Sequence, residues 1–179
     1  MEKRLRIIVC GVGFGQFYIR AIDKIKCKYK LVGILSRGSE WSKQWTKKYG
    51  VILYTDIDEI TKENVDVVCV VIKSTVVNGE GSTIVHSLLE KGINVIQEHP
   101  IDIDDYIMCI KIAQKNCCMY RLNTFYPQLS NVKQFIFLAG KLREKNDVQY
   151  INAECSVHVL FPLIDILGRA IGGVRPWEF

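Results

Sequence analysis

Short apolar, β-branched runs recur at 5–10, 31–36, 51–54, 65–72, 93–97 and 119–122, and segments of helical period lie between most of them. No other feature of the chain limits the fold so narrowly. A run that is apolar at nearly every position, rather than at alternate ones, belongs to a strand buried on both faces. Such strands separated by helices build a parallel sheet with a helical layer on each side. The spacing predicts helices over 14–25, 39–49, 82–91 and 102–115, with Ser39 as an N-cap and Gly92 at the left-handed position past a helix end. Residues 56–60 read as a turn. Beyond 122 the rhythm changes: a long helix over 128–145, a strand over 148–155 and a helix over 160–171.

Composition narrows the function classes. The chain has 179 residues, 49% of them hydrophobic and 24% charged, enough for one full core and part of a second. No apolar stretch reaches the ~20 residues of a membrane span. The basic N-terminus leads into an apolar run that Gly11 and Gly13 interrupt, which does not read as a signal peptide. Seven cysteines include Cys10, Cys69 and Cys155 inside apolar runs and the adjacent pair Cys117-Cys118, with no CxxC spacing. That pattern reads as reduced thiols of a cytoplasmic protein, with no metal site. The net charge of +5 is spread over lysine-bearing helices and loops, without the interleaved bases and aromatics of a nucleic-acid site.

Two segments sit where buried parallel strands should end, at the edge where open α/β sheets bind ligands. The first is Gly11-Val12-Gly13-Phe14-Gly15. Glycines there let backbone N–H groups approach a pyrophosphate at the positive end of the following helix. The third glycine of the G-x-G-x-x-G pattern is displaced: Gln16 holds that position and Gly15 precedes it. The context of strand, turn, helix and second strand supports a dinucleotide site. At the end of the second strand, Ser36-Arg37-Gly38-Ser39 offers no carboxylate for a ribose 2′-hydroxyl. Arg37 can pair with a 2′-phosphate, and Ser36 and Ser39 can donate to it, so the expected cofactor is NADP(H). The second segment is Gln97-Glu98-His99-Pro100, which puts a titratable imidazole on the same edge. The expected architecture is thus an α/β Rossmann-type doubly wound parallel sheet over 1–122. A crossover helix and the opening of a second α/β domain follow over 123–179.

Glu98-His99-Pro100 resembles the Glu-Lys-Pro motif of the glucose–fructose oxidoreductase/inositol dehydrogenase superfamily. A narrower set of segments is similar to the thiazolinyl imide reductases of siderophore assembly. These are Gly13-Phe14-Gly15-Gln16-Phe17-Tyr18, Leu53-Tyr54-Thr55, Lys73-Ser74-Thr75-Val76, Gln97-Glu98-His99-Pro100 and Asn123-Thr124-Phe125-Tyr126-Pro127. The resemblance implies NADPH-dependent reduction of a thiazoline C=N bond to a thiazolidine. Its substrate is carried as a thioester on a nonribosomal peptide synthetase. It implies cofactor contacts from Gly11, Gly13, Phe14, Gly15, Ser36, Arg37, Ser39, Ser74, Thr75, Glu98 and Pro100, with a cis bond before Pro100. It also implies that His99 and Tyr126 flank the nicotinamide. Either can supply the proton that the imine nitrogen takes up, an imidazole because it titrates near neutrality and a phenol directly or through water. The resemblance further implies that 123–179 starts a truncated C-terminal α/β substrate and dimerisation domain, with a homodimer at full length.

Sugar dehydrogenases of the superfamily carry a catalytic histidine three residues before an aspartate in the first helix of the second domain. The matching aspartate here is Asp165, and Pro162 stands three residues before it. The usual base for alcohol oxidation and the motif lysine are both missing, which agrees with imine reduction. His158 lies outside that position, and His86 falls on a predicted helix. Two alternatives remain: another NADP-dependent oxidoreductase acting on a sugar or small imine, and a non-catalytic NADP-binding module.

Overall fold

The computed structural model describes residues 3–72 and 79–173, apart from the side chain of His158. Six strands form one sheet: β1 (Leu5–Cys10), β2 (Tyr29–Leu35), β3 (Ile52–Tyr54), β4 (Val67–Val70), β5 (Asn94–Glu98) and β6 (Tyr120–Asn123). All neighbours run parallel in the order β3-β2-β1-β4-β5-β6, the doubly wound arrangement expected from the apolar runs. Strand order reverses between β1 and β4, which opens a crevice beyond their carboxyl ends.

The period of two along β1 divides the core. Ile7 and Val9 face a cluster containing Ile19 and Ile22 of helix α1 (Gly15–Lys24) and Trp45 of helix α2 (Glu40–Tyr49). Ile8 and Cys10 face the other cluster. It contains Val85, Leu88 and Leu89 of helix α3 (Glu80–Glu90), and Cys109 and Ala113 of helix α4 (Ile103–Lys115). Ile8, Ile19, Ile34, Leu88 and Leu89 are fully buried, each stabilising the fold by roughly 1.5–3 kcal/mol. Helix ends follow local chemistry. Ser39 caps α2 by accepting from Ser42 N at 3.3 Å, Asp102 caps α4, and Gly92 adopts φ +68° beyond α3. At the amino edge, Arg6 of β1 grips Asp66, just before β4, with Nε and Nη2 at 3.1 and 2.8 Å. The guanidinium holds the Asp66 carboxyl down at about 2. Burial pushes the thiols of Cys10 and Cys69 up to about 12 and that of Cys109 up to about 11. Cys27, Cys117 and Cys155 are exposed.

The chain divides into two compact units, Met1–Asn123 and Thr124–Phe179. The second packs helix α5 (Ser130–Arg143) against helix α6 (Leu160–Ile171). Within it, Thr124 donates to Asp165, which also pairs with Arg169 at 2.7 Å. Residues 148–155 are not a strand, contrary to expectation: they run without ladder bonds, and none of the six strands pairs with them. A strand is held by a neighbour's N–H and C=O groups, so an apolar, β-branched stretch without one stays irregular. Among the described residues no helix is long and apolar enough to cross a membrane.

Candidate cofactor-binding and active site

The glycine turn leaves β1 at the crevice. Gly11 has φ +88°, and its N–H bonds Leu35 O at 2.9 Å. A Cβ there would lie 3.0 Å from Val71 O and 3.1 Å from the Ile72 side chain, so the turn itself demands glycine. Gly13 differs: a Cβ would meet no described atom within 4 Å. The turn therefore leaves open space at Gly13, as a dinucleotide backbone needs. Gly15 takes the packing role of the displaced third glycine, since a Cβ would sit 3.0 Å from Val9 Cγ1. Phe14 is the N-cap of α1, no side chain caps this helix, and its first turn holds no acidic residue. The first N–H groups of α1 thus form a site suited to a pyrophosphate.

At the end of β2, Ser36 N bonds Tyr54 O at 3.0 Å and its hydroxyl accepts from Gly38 N at 3.3 Å. The Ser39 hydroxyl serves as the α2 cap. Arg37 projects into solvent and pairs with Glu80, the first residue of α3. Ser74 and Thr75 fall outside the described residues.

The end of β5 carries a buried polar network. Tyr18 of α1 donates to Glu98 Oε2, and Asn123 Nδ2 donates to the same oxygen at 3.2 Å and to the Tyr18 hydroxyl. Burial first, and then the bonded carboxylate, push the Tyr18 phenol well above its ordinary value, so it stays protonated and donates. Glu98 is 8% exposed, and its other oxygen lies 3.3 Å from His99 Nε2. The His99 N–H bonds Asn123 O at 3.2 Å, and the peptide before Pro100 is cis. Beside them Gln97, fully buried, accepts from the Tyr120 hydroxyl at 2.7 Å. One face of the Glu98 carboxylate is thereby satisfied by two donors, and the other meets the imidazole. Tyr126 opens a 3-10 turn of the second unit, 40% exposed, with its ring 5.7 Å from that of Phe125.

Tyr18 and Asn123 are functional candidates that individual residue types did not reveal. A signal for Tyr18 exists, because positions 15, 18, 19 and 22 form one helical stripe and a hydroxyl on a buried stripe needs a partner.

No curated protein matches this sequence. Solved structures match at low identity. Scyllo-inositol dehydrogenase from Lactobacillus casei, with bound NAD(H) and scyllo-inositol, is 18% identical over 95% of this chain and 57% of its own, with a TM-score of 0.76. Myo-inositol 2-dehydrogenase from Lactobacillus plantarum is 19% identical over 83% and 44%, with a TM-score of 0.69. A 3-ketoreductase from Actinomadura kijaniata in complex with NADP is 17% identical over 79% and 44%, with a TM-score of 0.67. At these identities the likeness is one of fold, and the chain spans about half the length of these structures. The GFO/IDH/MocA family, described as an oxidoreductase family with an NAD-binding Rossmann fold, matches residues 5–124, the whole of the six-stranded sheet. With its glycine turn at the strand-order reversal and a titratable cluster at the end of β5, the chain belongs to this family of NAD(P)-dependent oxidoreductases.

Proposed function

We propose that this chain carries the cofactor-binding half of an NADPH-dependent reductase that converts a thiazoline C=N bond to a thiazolidine on a carrier-protein-tethered siderophore intermediate. The observation that carries this reading is the β5 edge. There a histidine replaces the motif lysine and backs onto a buried carboxylate fixed by Tyr18 and Asn123. NADPH, held by the Gly11–Gly15 turn and Arg37, supplies the hydride. His99 holds a proton for the nitrogen, with the Glu98 carboxylate 3.3 Å from its Nε2. Tyr126 is the second donor, acting directly or through water. Pro162, in α6 three residues before Asp165, removes the base that polyol oxidation uses in the resembling sugar enzymes.

The test is NADPH oxidation with a synthetic thiazoline thioester, set beside NADP reduction with inositols and sugars. It is run on this chain and on a polypeptide carrying it together with a substrate domain. Turnover of the thiazoline is expected. Turnover of polyols alone would replace this reading with sugar oxidation.

A further inference from the structure

Ser36-Arg37-Gly38-Ser39 lacks the carboxylate that an NAD enzyme places at the end of its second strand, yet the fold brings one there from another element. Arg37 donates through Nε to Glu80 Oε1 at 3.2 Å and through Nη2 to Glu80 Oε2, a two-pronged pair. Arg37 stands two residues beyond β2 and Glu80 opens α3 beyond β4, and these strands flank β1 on either side. The pair therefore bridges the crevice mouth. Glu80 is also close enough to the end of β1 for its charge to add to the effect of burial on the Cys10 thiol. The two side chains are 83% and 51% exposed. An ion pair in that setting is weak and screened by salt, so a ligand bringing a better partner can open it.

A 2′-phosphate is such a partner, with two negative charges and several acceptor oxygens for the Arg37 fork. Its approach also meets the Glu80 carboxylate, a like charge. A free 2′-hydroxyl meets the opposite situation, since it can donate a hydrogen bond to the Glu80 carboxylate as it would to the missing strand-end carboxylate. We propose that Glu80 is a specificity-determining residue for the adenosine ribose: it competes with a 2′-phosphate for Arg37 and accepts a 2′-hydroxyl, so the chain binds both NADPH and NADH and its preference for NADPH is held down. This rests on the reading that a dinucleotide lies in the β1–β4 crevice with its ribose at the end of β2.

The experiment is fluorescence titration of NADPH and NADH against the unmodified chain, Glu80→Gln and Arg37→Gln, with circular dichroism to confirm folding. Glu80→Gln keeps the side-chain size at an exposed helix start. It is expected to tighten NADPH about tenfold, the scale of one charge-assisted contact, and to weaken NADH. The salt dependence of NADPH binding should steepen, because one net positive charge is gained at the site. An unchanged NADPH-to-NADH ratio in Glu80→Gln, with NADPH binding lost in Arg37→Gln, overturns the role of Glu80 and leaves the Arg37 reading standing. Unchanged NADPH binding in Arg37→Gln removes the Arg37 reading and this inference with it. Failure of the unmodified chain to bind either dinucleotide overturns both.

Discussion

Tyr18 and His99 meet on the two oxygens of one carboxylate, and their substitutions should have different consequences. Tyr18→Phe removes a donor from a buried charge and should cost about 1–3 kcal/mol of stability, read from urea unfolding. It should also loosen the His99 ring, so that turnover falls more than cofactor affinity does. In a polypeptide that turns over, His99→Gln should lower kcat by about 10²–10⁴ with NADPH affinity near normal, the range of a lost general acid. Activity should fall on the alkaline side as the donor loses its proton, and that limb should shift or vanish in the variant. Tyr126→Phe should cost less if Tyr126 only orients the donor. Full turnover in both variants and in the double variant, with chemistry limiting, would assign the proton to water or substrate. At this scale the sequence was partly legible. His99, Glu98 and Arg37 stand out because each ends an apolar run. Glu80 lies outside the helix predicted over 82–91, and its place beside Arg37 exists only once β1 and β4 become neighbours.

Among elements, the glycine turn contains two experiments with opposite controls. Gly11→Val meets both a left-handed backbone and the Val71 carbonyl, so it should destabilise the domain as well as abolish binding. Gly13→Val meets open space and should lose NADPH binding while thermal unfolding and circular dichroism stay near normal. Unaltered binding in Gly13→Val would make the turn purely structural. The pairing of β1 with β4, which frames the crevice, has its own pH dependence through Asp66. Its carboxyl is held below its ordinary value in the folded chain, so the Arg6 contact stabilises above pH ~4 and is lost as pH falls through about 2. Asp66→Asn should remove on the order of 1–2 kcal/mol at neutral pH and flatten stability across that acid window, as measured by denaturant melts. Buried strands and helix ends were readable because the apolar runs and the end signals Ser39 and Gly92 are local, whereas the Asp102 cap emerges only in the structure. The 148–155 stretch was misread because strand propensity lies in side chains, whereas a strand exists only beside a partner.

At the scale of the whole molecule, the sheet and its helices hold a thiol at the heart of the ligand edge. Cys10 ends β1 directly beneath the glycine turn, and Cys69 lies opposite Val9 in the neighbouring strand. Both are protonated at neutral pH and shut away, whereas Cys27, Cys117 and Cys155 face solvent. A thiol reagent should therefore modify the native chain in a fast outer phase and a slow inner one, and the slow phase measures how often the centre of the sheet opens. That makes the protein its own stopwatch for ligand binding. NADPH at a hundred times its dissociation constant should lengthen the inner phase about a hundredfold, because the opened sheet cannot hold it. A molecule that merely adheres elsewhere on the surface of both forms would leave the clock running at its old rate.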